Sequence, residues 1–185
     1  MKFFKLYLIL FICLASSVKA DLNKNLIKKL QNGGKLIFIR HAYAPGGGDP
    51  NNFDINDCNT QRNLSNSGRE QAKNIGIFFK ENNIKVENVY SSEWCRCKET
   101  ASIAFNKFET KNFLNSFFNS KFAKNKDPQM NNLKKFIKNN KSKQNSVFVT
   151  HYVVISESLN YLSSSGEIVV SDKDFKVIDT VEIEY

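Results

Sequence analysis

The chain has 185 residues, 41% hydrophobic and 24% charged, values that suit one soluble-type domain with one sizeable core. Beyond the N-terminus no apolar run is long enough to span a bilayer. The formal net charge of +9 comes without an aromatic-interleaved basic stripe, so no nucleic-acid partner is indicated. Lysine and asparagine recur everywhere, as in 138–143, which marks a compositional bias on solvated faces rather than a purposeful basic patch.

Residues 1–20 read as a secretory signal peptide. Lys2 and Lys5 supply the basic start, Leu6 to Leu14 is almost wholly apolar, and Val18-Lys19-Ala20 supplies the cleavage site, cut after Ala20. A retained membrane anchor is the alternative, but about a dozen apolar residues fall short of the ~20 a helical span needs. Cleavage leaves 21–185 as a single domain. It lowers the net charge from +9 to +6, because the segment holds three lysines and no acids. The expected location is the bacterial periplasm, with no stable membrane span after cleavage.

Residues 22–32 form a short amphipathic helix, with Leu22, Leu26, Ile27 and Leu30 on one side and Gly33-Gly34 as its stop. Lys35 to Arg40 (KLIFIR) is a near-continuous apolar run, as expected of a strand buried on both faces. Residues 42–62 make a long loop punctuated by Pro45, Gly46-Gly47-Gly48, Asp49 and Pro50. A helix follows Ser65 as N-cap, with Ala72, Ile75, Gly76 and Phe79 on its buried face. Val86 to Ser91 is the next strand, and Glu93 to Phe105 a helix capped by Ser92. Asp127-Pro128 starts another helix, as N-cap and first helical residue, with Leu133, Phe136 and Ile137 facing the core. Ser146 to Thr150 is a buried strand. Residues 168–171 and 175–185 alternate as two closing strands, expected to be antiparallel. This order predicts a three-layer α/β/α domain around a central, mostly parallel mixed sheet, with ligands collecting beyond the carboxyl ends of the strands.

The chemistry concentrates at those ends. The chain has only two histidines. His41 directly follows the KLIFIR strand, and His151 directly follows SVFVT. Arginine is scarce against lysine: Arg40, Arg62, Arg69 and Arg96 are the whole set. Arg40 adjoins His41, and Arg96 sits in the first turn of a helix that leaves the same sheet edge. A surface salt bridge is the plainer role for Arg96. Yet a guanidinium binds phosphate bidentately as lysine does not, and a helix N-terminus adds N–H donors. Two imidazoles and two guanidinium groups suit a phosphoryl group: one imidazole attacks phosphorus, and the rest hold its oxygens. This arrangement calls for no cofactor and no metal. The cysteines and the two separated histidines lack zinc-ligand spacing. After cleavage Cys58, Cys95 and Cys97 remain. Cys95 and Cys97 diverge by roughly 200° on a helix of ~3.6 residues per turn, so Cys58 is one partner of any disulfide, with Cys95 or Cys97 as the other.

Four segments carry a family resemblance. Arg40-His41-Ala42 resembles the Arg-His-Gly signature of the histidine phosphatase superfamily, which includes the phosphoglycerate mutases. Leu64-Ser65-x-x-Gly68-x-x-Gln71-Ala72 is similar to its helix start, and Ser91-Ser92-x-x-x-Arg96-x-x-x-Thr100-Ala101 to its Ser-x-x-x-Arg-x-x-x-Thr-Ala segment. Val147 to His151 resembles the strand before the second histidine. The order of the four, over about residues 35–155, is what makes the resemblance specific. It implies that His41 is the phospho-acceptor, and that Arg40, Arg96 and His151 complete the phosphate pocket. Asp57-Cys58-x-Thr60-Gln61-Arg62-Asn63-Leu64 with Trp94-Cys95-Arg96 looks like an exported bacterial subgroup. That likeness implies a Cys58–Cys95 disulfide and puts Arg62 at the pocket rim as a substrate-binding residue.

The chain departs from the family pattern at three places. Ala42 replaces glycine. Tyr152 stands where phytase-like members carry an acid. Residues 115–121 contain no acid where the other branch carries a glutamate. Asp127, Glu157 and Glu167 are nearby acids that match no motif, so the general acid stays unassigned. The expected activity is hydrolysis of a phosphate monoester or phosphoramidate, on a small-molecule or cell-envelope substrate, through a phosphohistidine on His41. The alternative is a catalytically weak or inactive phosphate-pocket binder of the same fold.

Overall fold

The computed structural model describes residues 24–184. The expected signal peptide, the first residues of the 22–32 helix and Tyr185 lie outside the described residues. Helix α1 is described over 24–31, and the remaining helices are α2 (Asn66–Glu81), α3 (Cys95–Phe105), α4 (Lys126–Asn139) and α5 (Tyr152–Leu159). The strands are β1 (Leu36–Arg40), β2 (Val86–Ser91), β3 (Glu109–Thr110), β4 (Asn145–Thr150), β5 (Ile168–Ser171) and β6 (Val177–Val181).

They form one six-stranded sheet in the order β3-β2-β4-β1-β5-β6. Contacts β3·β2, β2·β4 and β4·β1 are parallel, and β5 and β6 join as antiparallel neighbours. This is the expected mixed sheet. The strand period of two sends Ile37 and Ile39 of β1, with Val147 and Val149 of β4, to one face. There they meet Leu26 and Leu30 of α1, Ile75 and Phe79 of α2, and Ala101 of α3. Leu36, Phe38 and Phe148 point the other way, onto Leu133 and Ile137 of α4 and Val154 and Ile155 of α5. Both faces of β1 and β4 are thus covered, which is why they read as continuous apolar runs. Each fully buried Leu, Ile or Phe stabilises by roughly 1.5–3 kcal/mol.

The elements differ from expectation at a few points. α3 begins at Cys95, with Trp94 as an N-cap that makes no side-chain capping bond. The Ser92 hydroxyl instead bonds Asn115 and His151. α4 begins at Lys126 rather than at Pro128, with Asn125 as N-cap. The sequence pattern marks neither α5 nor the two-residue β3. Ser65 does cap α2, its hydroxyl accepting from Gly68 N at 3.0 Å. Gly68 is required there, because a Cβ would lie 2.0 Å from the Tyr43 carbonyl oxygen.

Candidate active site

The sheet register builds the site. β1 and β4 are adjacent and parallel, with Arg40 opposite Thr150. The next residue of each strand is therefore a histidine, and the two emerge side by side. The His41 amide donates to the Thr150 carbonyl at 2.9 Å, extending the ladder by one bond. The rings meet edge to face, with centroids 5.5 Å apart. β2 lies on the other side of β4, so its exit brings Ser92 and then α3 to the same edge. Arg96, in the first turn of α3, falls between the two imidazoles.

The hydrogen bonds fix the state of each ring. His41 Nδ1 lies 2.8 Å from the Ala42 carbonyl oxygen, which only accepts, so Nδ1 carries the proton and Nε2 keeps its lone pair. Arg96 Nε donates to that Nε2 at 3.1 Å. The Ser92 hydroxyl donates to Asn115 Oδ1 at 3.0 Å, so at 2.9 Å it accepts from His151 Nε2–H. His151 Nδ1 is then unprotonated and faces Arg96 Nη2 at 3.5 Å. Both imidazole pKa values are pushed well below the ordinary 6.5, first by burial and next by the Arg96 charge, so both rings are neutral. The buried Cys97 thiol, 3.5 Å from His151 Nε2, is raised to about 12 by burial.

Above these groups opens a cavity of about 500 Å³. Arg40, His41, Arg62, Arg96 and His151 all line it. Arg40 Nη1 donates to the Ser163 carbonyl at 2.7 Å, and its guanidinium lies 5.3 Å over the Tyr152 ring. Arg62 is half-buried and bonds the Ala44 carbonyl through Nη1, so it stands in the pocket wall as well as at its rim. Burial lowers the pKa of both Arg40 and Arg62. Phe53 stacks on Trp94 at 4.9 Å, and the exposed Phe118 leans on Tyr152 at 5.7 Å. These pairs give the cavity two aromatic walls.

Asp49 was not among the expected site residues. Its carboxylate takes Arg96 Nη1 at 2.8 Å and Nη2 at 3.2 Å, Trp94 Nε1 at 3.1 Å and the Arg62 amide at 3.0 Å. Burial alone would raise its pKa, but the Arg96 bonds and charge outweigh that and hold it below 3.8. Nothing local in the sequence marks Asp49 except its place in a Gly-rich loop. The acids considered from sequence lie elsewhere. Glu167 is buried under Tyr161 Oη and the Ser164 amide, and Glu157 pairs with Lys126 at the surface. Neither these nor Asp127 line the cavity.

The loop over the site is tied down. Cys58 and Cys95 form a disulfide with Cα atoms 5.7 Å apart, and Cys97 remains free and buried. Gln61 Oε1 accepts from the Cys95 amide at 2.9 Å. Among the described residues, no helix is long and apolar enough to cross a membrane.

Residues 36–115 match the model of the histidine phosphatase superfamily, branch 1. The chain is 31% identical over 90 residues to the mitochondrial serine/threonine-protein phosphatase Pgam5 of Drosophila virilis, and 32% identical over 90 residues to that of Drosophila mojavensis. Each match takes in 49% of this chain but only 27% of the relative's length. Among solved structures, the protein histidine phosphatase SixA complexed with tungstate aligns with a TM-score of 0.56 at 12% identity, over 81% of this chain and 96% of that one. A second SixA, from Agrobacterium tumefaciens, aligns at 0.56 and 18%, over 80% and 98%. TTHB049 from Thermus thermophilus aligns at 0.58 and 16%, over 81% and 99%. At these identities the likeness to the solved structures concerns the fold.

Proposed function

We propose that the chain is a member of the histidine phosphatase superfamily, whose model matches residues 36–115, and that it is an exported phosphatase that hydrolyses phosphate monoesters or phosphoramidates through a phosphohistidine on His41. One observation carries this reading. The Ala42 carbonyl holds the proton on Nδ1, leaving Nε2 as an unprotonated nitrogen aimed at a guanidinium, where a phosphoryl group would sit. Attack by Nε2 on phosphorus expels the leaving group. Water then breaks the P–N bond and regenerates the imidazole. Arg96 and Arg40 hold the equatorial oxygens. The incoming dianion opposes the charge of the arginines and raises the His151 pKa, which lets His151 take up a proton and donate to the same oxygens. Arg62 extends the positive wall.

Export rests on the basic–apolar–small order of residues 1–20, and the Cys58–Cys95 disulfide is consistent with an oxidising compartment such as the periplasm. On this reading residues 21–185 act as one domain, and the substrate is a phosphorylated small molecule or cell-envelope component.

A second reading is a phosphate-pocket binder with little or no turnover. The occupied fork of Arg96 favours it, since Asp49 already fills the place of an anion. Oxidised protein beginning at residue 21 should hydrolyse p-nitrophenyl phosphate and trap an acid-labile, base-stable phosphoenzyme on rapid quench. His41→Ala should abolish both signals. Saturable phosphate binding with neither signal establishes the binder instead.

A further inference from the structure

Asp49 is the only carboxylate lining the cavity among the described residues. It occupies the group that a phosphate needs. A guanidinium has five N–H bonds, and Arg96 has partners for all of them. Nε serves His41, Nη1 serves Asp49 and the Arg62 carbonyl, and Nη2 serves Asp49 and His151. A phosphoryl group that binds Arg96 bidentately must therefore take the fork from Asp49. The chain before Asp49 is built to let it go. Gly46 and Gly48 have φ of +98° and +136°, and a Cβ placed on Gly47 or Gly48 would meet nothing within 4 Å, so the space beside these two residues is open although the 42–62 loop is anchored further along at Cys58.

We propose that Asp49 is a catalytic residue: substrate phosphate displaces its carboxyl from Arg96, and the freed Asp49 serves as the proton donor to the leaving oxygen. This rests on the phosphatase reading above. In the first half-reaction the His41 Nε2–P bond forms and the bond from phosphorus to the leaving oxygen breaks. That oxygen takes the Asp49 carboxyl proton. In the second half, a water oxygen bonds phosphorus as the P–Nε2 bond breaks, and the Asp49 carboxylate takes the water proton. Ester and water become alcohol and phosphate, and His41 returns to its starting state. Asp49 takes one proton from solvent when the substrate frees it from Arg96, and gives that proton back as phosphate leaves and the carboxylate returns to the guanidinium. The displacement also sets the protonation. While bonded to Arg96 the carboxyl is held ionised. Parted from the guanidinium and set beside a dianion, it gains proton affinity. A filled fork and a loaded acid are thus the same event.

The test is leaving-group dependence in the oxidised protein from residue 21. Asp49→Asn keeps the size and one acceptor oxygen, enough for either the Trp94 indole or the Arg62 amide but not both, and has no acidic proton. Its kcat/KM on an alkyl phosphate should fall by about 10²–10⁴-fold, the usual contribution of a general acid. The fall on p-nitrophenyl phosphate, whose leaving group needs little protonation, should be far smaller. Vanadate should bind the variant at least as tightly as the parent, because an internal competitor is weakened. Asp49→Glu, which keeps a carboxyl, should restore part of the alkyl-phosphate activity. An equal fall on both esters, or loss of vanadate binding, would show a merely structural residue and overturn the proposal. Faster alkyl-ester turnover in Asp49→Asn would overturn it too, leaving Asp49 as a plug. If the parent protein turns over neither ester, the phosphatase reading itself fails, a result separable from failure of Asp49 alone.

Discussion

Arg96 donates its Nε–H to His41 Nε2 across 3.1 Å, so the guanidinium at the centre of the cavity is bonded directly to the nitrogen proposed as nucleophile. The same guanidinium holds Asp49 in its fork and faces His151. One side chain therefore bonds the nitrogen proposed as nucleophile, adds its charge to the burial that keeps both imidazoles neutral, and offers the fork proposed to take an anion.

Lysine has one compact ammonium and no planar fork, so it should not replace Arg96. Arg96→Lys should lower kcat/KM on p-nitrophenyl phosphate by about 10²–10³-fold, the loss typical of removing a preorganised donor. Steady-state kinetics check this; a loss below about threefold, well under that range, would mean that the fork is dispensable.

The two histidines set the response to mild acid. Both have folded pKa values well below 6.5. As pH falls below 6.5, the unfolded chain binds protons at these imidazoles that the folded chain excludes. The unfolded state then holds more protons, and stability declines with falling pH. Asp49 does not act in this window, because a carboxyl held below 3.8 loses its contribution only at still lower pH. The thermal midpoint should drop between about pH 7 and pH 5, and drop less in a His41→Gln, His151→Gln double variant. The acid limb of kcat/KM should likewise lie below pH 6.5; a limb above that value would contradict a neutral, buried nucleophile.

The Cys58–Cys95 disulfide joins the 42–62 loop to the first residue of α3, one position before Arg96. With 37 residues separating the cysteines, the loop-entropy relation gives about 4 kcal/mol of stabilisation. Cys58→Ser with Cys95→Ser should lower unfolding free energy by roughly that much and expose the 42–62 loop to protease before the sheet. Unchanged cleavage of the loop would show that its polar contacts alone suffice.

Gly68 lets the start of α2 lie against the backbone that follows His41. The added methyl of Gly68→Ala would meet the Tyr43 carbonyl oxygen at 2.0 Å, with backbone on both sides. A cost of about 1–3 kcal/mol is expected from overpacking, with turnover falling as the segment after His41 shifts. Chemical denaturation and kinetics on the same variant test both, and a wild-type melting curve would refute the clash.

Strands β1 and β4 were legible because burial on both faces leaves a near-continuous apolar run, and α2 because Ser65 and a stripe of ~3.6-residue period mark it; β2 (VENVYS) is only partly buried and carries a weaker pattern. The helix signal was weaker where side chains serve distant partners. Ser92 looks like the cap of α3, yet its hydroxyl bonds His151, 59 residues away. α5 escapes a reading by pattern because YVVISESL is only eight residues long and carries no clear stripe.

The residues at the site were legible in a similar, partial way. His41, Arg40, Arg96 and His151 follow strands or open a helix at the carboxyl edge, and chain order alone places them there. Asp49 had no such mark, because the partner that gives it meaning lies 47 residues further on.

By itself, then, the amino-acid sequence determined the element order, the sheet edge and the scarce imidazole and guanidinium groups brought to it, because periodicity, capping and turn chemistry act over a few residues. Only the tertiary structure decided that Asp49 fills the Arg96 fork, that Ser92 orients His151 and that Cys97 is sealed beside it. Those relations depend on loops folding back across tens of residues, where hydrogen-bond geometry and burial, rather than local pattern, select the partner.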